Sequence, residues 1–151
     1  MGAENGAWTY VAQGFWEWNE QRGGHHLGED WNGIGGMDSD LGDAVYAVAD
    51  ALVLYAGVPS EGWGQVVILG HRLPNGTILQ SMYAHLLDHR VAVGELVMRG
   101  AMIGHVGTAD GLYPAHLHYE MRVGELLSVG PGYANETSNH ILPRSAPPSQ
   151  P

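Results

Sequence analysis

His116 and His118 stand two apart in PAHLHYE, residues 114–120, in a chain that contains no cysteine. On a strand, residues i and i+2 point to one face, roughly 6.6–7 Å apart, so both imidazoles look into a single site. That spacing suits a metal ligand with a proton carrier beside it. A second set lies in HHLGED, residues 25–30, where His26 and Asp30 are four apart, as are His25 and Glu29. A four-residue step returns to the same face in a helix and in a strand, so spacing alone selects neither pair nor conformation. Gly28, with Gly23 and Gly24 before it and Gly33 after it, argues for loop or extended chain, which excludes the helical H-E-x-x-H zinc pattern. His85 lies in SMYAHLLDH, residues 81–89, and taken alone reads as a half-buried strand residue satisfied by a backbone group.

Combined, these stretches offer a donor set. His26, Asp30 and one of the two late histidines give two nitrogens and one oxygen and leave a fourth tetrahedral position for water, the composition of a catalytic zinc site. His85 and the unused member of the late pair remain for proton transfer. Without cysteine, thiolate zinc sites and disulfide frameworks are excluded, and imidazole and carboxylate are the strong ligands available.

Strands must present these groups. Alternating or β-branched runs cover Trp8–Ala12, Val45–Val48, Leu52–Tyr55, Gln65–Leu69, Thr77–Tyr83, Ala101–Val106 and Leu117–Val123, each short and bounded by Gly, Pro or Asn. A brief turn is expected within Leu86–Val93, and nothing shows a long helical stripe. Leu73–Thr77 reads as a hairpin turn around Asn75-Gly76. With a two-residue loop, His71 lies opposite Gln80, on the other face from His85, as a surface residue. Gly42-Asp43-Ala44-Val45 returns loosely as Gly94-Glu95-Leu96-Val97 and favours a duplicated β architecture. Asp38, Asp40 and Asp43 lack the order of an EF-hand loop and read as a solvated face.

The 151 residues make one domain, expected over 1–141, with the proline-rich segment 142–151 as a disordered tail. Six basic against sixteen acidic residues give a formal charge of −10, which excludes nucleic acid and anionic membrane surfaces as electrostatic partners and favours a cationic peptide amine. The longest apolar run, Ala51–Val58, is far short of a membrane span, and Met1–Gly14 has neither the basic nor the apolar region of a targeting segment. No membrane insertion is expected.

His26-Leu27-Gly28-Glu29-Asp30, Gly62-Trp63-Gly64 ahead of Val66-Val67-Ile68, Tyr83-Ala84-His85-Leu86, VGELVMRGAMIGHVG at 93–107 and His116-Leu117-His118-Tyr119-Glu120 occur in the order of one family. Over roughly residues 20–125 the chain resembles the LytM/lysostaphin-type zinc metallopeptidases, the peptidoglycan endopeptidase family. The resemblance implies a mainly β fold: an antiparallel β-sheet groove built as a duplicated hybrid motif, with short loops, little helix and the metal on its floor. It implies that His26, Asp30 and His118 bind one zinc ion, and it prefers His26 and Asp30 to His25 and Glu29 because the glycine belongs between the ligands. His85 and His116 are implied as the catalytic pair, with the base left open between them. The implied partner is a peptidoglycan peptide, the implied location extracellular, periplasmic or in the cell wall, and the oligomeric state stays open. Ala51 and Ala109 depart from family glycines, and Met37–Asp43 is longer than the minimal connection. Two functions stand: a zinc endopeptidase cutting cross-links or stem peptides, and a non-hydrolytic peptidoglycan-binding or regulatory module of the same fold.

Overall fold

The computed structural model describes residues 9–135 together with the backbone of 140 and 141, so the expected tail at 142–151 and Trp8 lie outside the described residues. The described chain is strand and turn without helix. In order, the strands are β1 (Thr9–Gln13), β2 (Trp18–Asn19), β3 (Gly24–His26), β4 (Glu29–Gly33), β5 (Ala44–Tyr46), β6 (Ala51–Gly57) and β7 (Gln65–Arg72). There follow β8 (Ile78–His89), β9 (Leu96–Val97), β10 (Met102–Val106), β11 (Leu117–Val123), β12 (Tyr133–Ala134) and β13 (His140–Ile141). All pairings are antiparallel. The main sheet runs β1-β4-β11-β8-β7-β6-β9, with β10 joining β5 to β8, and a small sheet runs β12-β3-β2. This is the antiparallel β architecture that the sequence implies.

The apolar run of β7 is buried on both faces. Val67 and Leu69 pack with Val53, Tyr83, Leu86, Ile103, Val106 and Leu117 in the larger core. Val66 and Ile68 pack with Met82 and Ala84 on the opposite side, where Leu54, Tyr55, Trp63 and Val129 close over them. Burying each such aliphatic side chain contributes about 1.5–3 kcal/mol, so the central strands are the rigid part of the scaffold.

One irregularity in β8 decides where His85 points. Val67 lies opposite Tyr83 and Gln65 opposite Leu86, so the intervals differ by one residue and β8 carries a bulge. His85 occupies it with φ 60, a left-handed conformation that a bulky side chain rarely adopts. The extra residue keeps Leu86 in the larger core with Tyr83 and turns His85 out of it. Gly107 makes room: a Cβ there would lie 2.4 Å from Leu87 N and 2.7 Å from His85 O.

Several sequence expectations need correction. β8 runs on to His89 and its last residues pair with β10, so the turn expected within Leu86–Val93 comes only at the end of that stretch, where Glu95 N donates to Ala92 O. The β7–β8 hairpin has a three-residue loop, with Leu73 N donating to Thr77 O, so His71 faces Leu79 and not Gln80. His71 is buried, joined to Ser81 Oγ at 2.7 Å and Asp50 O at 3.0 Å, because the odd loop length shifts the register by one. The acidic loop is a solvated face only in part: Asp38 is exposed and accepts from Ala115 N, but Asp40 is buried and accepts from Gly33 N. Both carboxylates therefore tie the Met37–Asp43 connection to the ends of β4 and of the segment entering β11. Ala109 holds φ 51 while fully buried, so the backbone there keeps the conformation glycine favours although the residue is alanine. Gly42 and Gly94, with φ 84 and 89, open matching turns ahead of β5 and β9.

Candidate functional site

Three separate strands deliver three donors to one point. His26 ends β3, Asp30 sits in β4, and His118 in β11 lies directly opposite Asp30 across the ladder. His26 Nε2 is 3.1 Å from His118 Nδ1 and 3.3 Å from Asp30 Oδ1, and His118 Nδ1 is 2.9 Å from Asp30 Oδ1. Among the described residues this trio alone gathers three metal-type donor atoms within 4.8 Å of one another. The acidic residues at 38, 40 and 43 form no such group. His25 and Glu29, which spacing could not separate from His26 and Asp30, are directed elsewhere: His25 stacks on Trp16 and Glu29 accepts from Trp31 Nε1.

Backbone and carboxylate acceptors orient each imidazole. His26 Nδ1 faces Gly14 O at 3.3 Å, so its Nε2 is left to the cluster. His118 donates Nε2–H to Glu120 Oε1 at 2.8 Å, which leaves Nδ1 toward Asp30. Glu120 is fully buried, and its other oxygen takes a fork from Arg122, Nε at 3.0 Å and Nη2 at 2.7 Å. Arg122 in turn donates to the carbonyls of Ser128 and Val129. A Cβ on Gly28 would lie 2.4 Å from Tyr119 O and 2.7 Å from Glu120 Cγ, so only glycine lets the β3–β4 turn rest against β11.

Two more imidazoles flank the trio. The bulge brings the His85 ring to 4.7 Å from His116 and 5.6 Å from His118. Both the backbone N and Nδ1 of His85 are held by Trp63 O, at 2.9 and 3.1 Å. His116 Nδ1 is held by Pro114 O at 2.8 Å, and its Nε2 stands 3.8 Å from Asp30 Oδ1. The structure thus brings together all five residues singled out in the sequence. Four of them, Asp30, His85, His116 and His118, line a cleft of about 230 Å³ with Arg22, Trp63, Tyr113 and Tyr133, and His26 is fully buried.

Electrostatics follow from the packing. Burial pushes the Asp30 carboxyl up, but hydrogen bonds from His118 and His26 outweigh it and hold the group far below the usual carboxylate range. Burial also opposes charge on His118, yet its bonds to Asp30 and Glu120 raise it to about 9. His85 is pushed down to about 3 by burial and by the neighbouring His118 and His116. Three acceptor atoms crowded at these distances need a cation among them, and without a metal a proton on His118 Nδ1 serves. The donor set fits a divalent ion as well. Bonds of about 2.0–2.1 Å at a tetrahedral centre imply donor separations of about 3.3 Å, close to those observed.

Spacing arguments missed Glu120, Arg122, Trp63 and the two tyrosines. Glu120 and Arg122 follow His118 at i+2 and i+4 on one strand face, so alternation alone marks them as neighbours of the ligand candidate. Trp63 was visible only as the centre of a Gly-Trp-Gly triplet.

An all-antiparallel sheet bearing an Asp and two His donors, with two further imidazoles beside them, defines a metallopeptidase-like site. The profile of peptidase family M23 matches residues 29–131, and the chain belongs to that family, of the LytM/lysostaphin type. It is 26% identical over 121 residues to lysostaphin of Staphylococcus simulans and to the glycyl-glycine endopeptidase ALE-1 of Staphylococcus capitis, matching 80% of this chain. The chain spans only 21% and 29% of the lengths of those two relatives. The fold also matches the catalytic domain of the antimicrobial peptidase lysostaphin from S. simulans, with a TM-score of 0.61 at 23% identity, over 92% of this chain and 90% of that one.

Proposed function

We propose that the protein is a zinc-dependent endopeptidase that hydrolyses peptide bonds in peptidoglycan cross-links or stem peptides, with His26, Asp30 and His118 as the metal ligands. The observation that carries this reading is the convergence of those three donors, each imidazole oriented by an acceptor on its other nitrogen, beside His85 and His116 in an open cleft. A zinc ion held there supplies Lewis acidity toward a carbonyl and lowers the pKa of water from 15.7 to about 7.

The chain's own groups do the rest. Asp30 and Glu120 provide negative charge at the two ring nitrogens of His118, which favours binding of a cation. His85 is uncharged at neutral pH and presents Nε2 as an acceptor, fixed by the Trp63 carbonyl. His116, whose ring lies 4.7 Å from that of His85, presents its Nε2 near Asp30. One of the pair accepts the proton of the attacking water and the other delivers a proton to the leaving amine. Trp63 packs over both His85 and His118 at 5.8 and 5.2 Å and shields that face from solvent. A wall substrate places this work outside the cytoplasmic membrane.

The test is to incubate purified protein with peptidoglycan, with and without zinc. New amine termini by mass spectrometry, lost on chelation and restored by zinc, are expected. Stoichiometric zinc without new termini leaves the non-hydrolytic binding module as the reading.

A further inference from the structure

We propose that Arg22 is a carboxylate-recognition residue, and that the cleft selects substrates carrying a free carboxylate within about three residues of the bond that is cut. The inference rests on the peptidase reading above and adds its substrate class.

The chain has no lysine, so its six cationic residues are all arginines. Arg22 is the one that lines the cleft shared with Asp30, His85, His116 and His118. Elsewhere, Arg122 is committed to Glu120 and Arg90 to Asp88. Among the described residues Arg22 makes no ion pair within 4 Å, and the Asp30 carboxylate favours its charge only from a greater distance. Its Nη2 donates to the phenol oxygen of Tyr113 at 3.1 Å, and its guanidinium carbon lies 5.7 Å from the ring centroids of both Tyr113 and Tyr133.

That arrangement is a prepared anion site. A guanidinium has five N–H donors in a planar fork, and one bond to a neutral phenol leaves most of them unspent. Two aromatic rings hold the plane by cation–π attraction, which removes much of the rotamer entropy a free arginine loses on binding. The open edge matches a carboxylate with two parallel hydrogen bonds. Tyr113 also packs on His85 at 5.0 Å and on His116 at 6.0 Å, so the guanidinium is one ring removed from the imidazole pair. Since the chain as a whole carries a charge of −10, long-range steering works against an anion, and selection must come from this short-range contact. A glycyl-glycine bridge has no carboxylate to meet it. The α-carboxylate of a γ-linked glutamate in a stem peptide does.

The experiment uses a matched pair of cross-linked stem-peptide dimers that differ only in that α-carboxylate, free in one and a carboxamide in the other. The kcat/KM and the Kd by titration calorimetry are measured for zinc-loaded wild type, Arg22→Lys and Arg22→Met. Wild type is expected to favour the acid about tenfold or more, mainly through KM and Kd. The acid-to-amide ratio should fall to about 1 in Arg22→Met and to an intermediate value in Arg22→Lys, which keeps charge without the fork. Equal constants for the two peptides in wild type, or a ratio unchanged in Arg22→Met, would overturn the proposal. In the latter case Arg22 only props Tyr113. Cleavage without preference sinks this inference and leaves the peptidase reading, whereas Arg22-dependent preference in Kd without cleavage does the reverse.

Discussion

His118 and Glu120, two residues apart on β11, are joined by an Nε2–H to Oε1 hydrogen bond of 2.8 Å, and this buried bond decides which nitrogen of His118 meets Asp30. A carboxylate behind a ligating imidazole fixes its ring and raises its basicity, and loss of such a partner typically costs about 10–100-fold in metal affinity. Glu120→Gln is therefore expected to weaken zinc binding by about that factor, measured by competition with a chromogenic chelator. An unchanged affinity would show that the ring is held by packing alone.

Arg122 is the counter-charge that makes a buried Glu120 tolerable. Removing one partner of a buried pair leaves an uncompensated charge and costs about 3–5 kcal/mol. Arg122→Met should lower the urea midpoint by a corresponding amount even in metal-free protein. The double variant with Glu120→Gln should recover part of the loss, because the stranded charge is then gone.

The proton on His118 links metal binding to pH. In metal-free protein its pKa is raised to about 9 from an ordinary value near 6.5. A raised pKa contributes stability that is fully present below about pH 6.5 and disappears as pH climbs through about 9. Urea melts in chelator at pH 6, 7.5 and 9 should show a falling stability, by roughly 3 kcal/mol in all. Zinc must displace that proton, so its affinity should rise by about tenfold per pH unit across the same window. A flat affinity from pH 6.5 to 9 would rule out the proton on His118.

His85 and His116 carry the chemistry in the proposed mechanism without holding the metal. Alanine at either is expected to reduce turnover by about 10²–10⁴-fold while zinc content by elemental analysis stays stoichiometric. His118→Ala should instead lose the ion. Wild-type turnover in His116→Ala would remove it from the mechanism.

Gly28 is the tightest point of the ligand scaffold, where an added Cβ meets a carbonyl oxygen and Glu120 Cγ at once. Overpacking of this kind costs about 1–3 kcal/mol, and here it also displaces Glu120. Gly28→Ala should lower the melting temperature and weaken zinc binding together. A variant that melts earlier but binds zinc as before would separate the turn from the site.

Local chemistry made parts of this legible in advance. Leu117–Val123 was bounded by its alternation and forms β11 over those residues, so His118, Glu120 and Arg122 share a face as period two requires. His26 and Asp30 could not be told from His25 and Glu29, because both pairs have the same spacing, and the contact with β11 separates them. His85 was harder. Simple alternation places it with Tyr83 in the core, and only a bulge, with room left for it by the distant Gly107, reverses that. His71 failed for the same reason: one residue in the hairpin loop exchanged the faces. Arg22 carried no local signal at all, since its meaning comes from Tyr113, 91 positions away in the chain.

Arg122 also grips the carbonyls of Ser128 and Val129, just ahead of the Pro131–Tyr133 stretch that forms one side of the cleft. One guanidinium thus fastens both the cleft's flank and, through Glu120, its floor. Neither can work loose by itself: backbone amides of the flank and of β11 should exchange with solvent as a single unit, and whatever steadies one steadies the other.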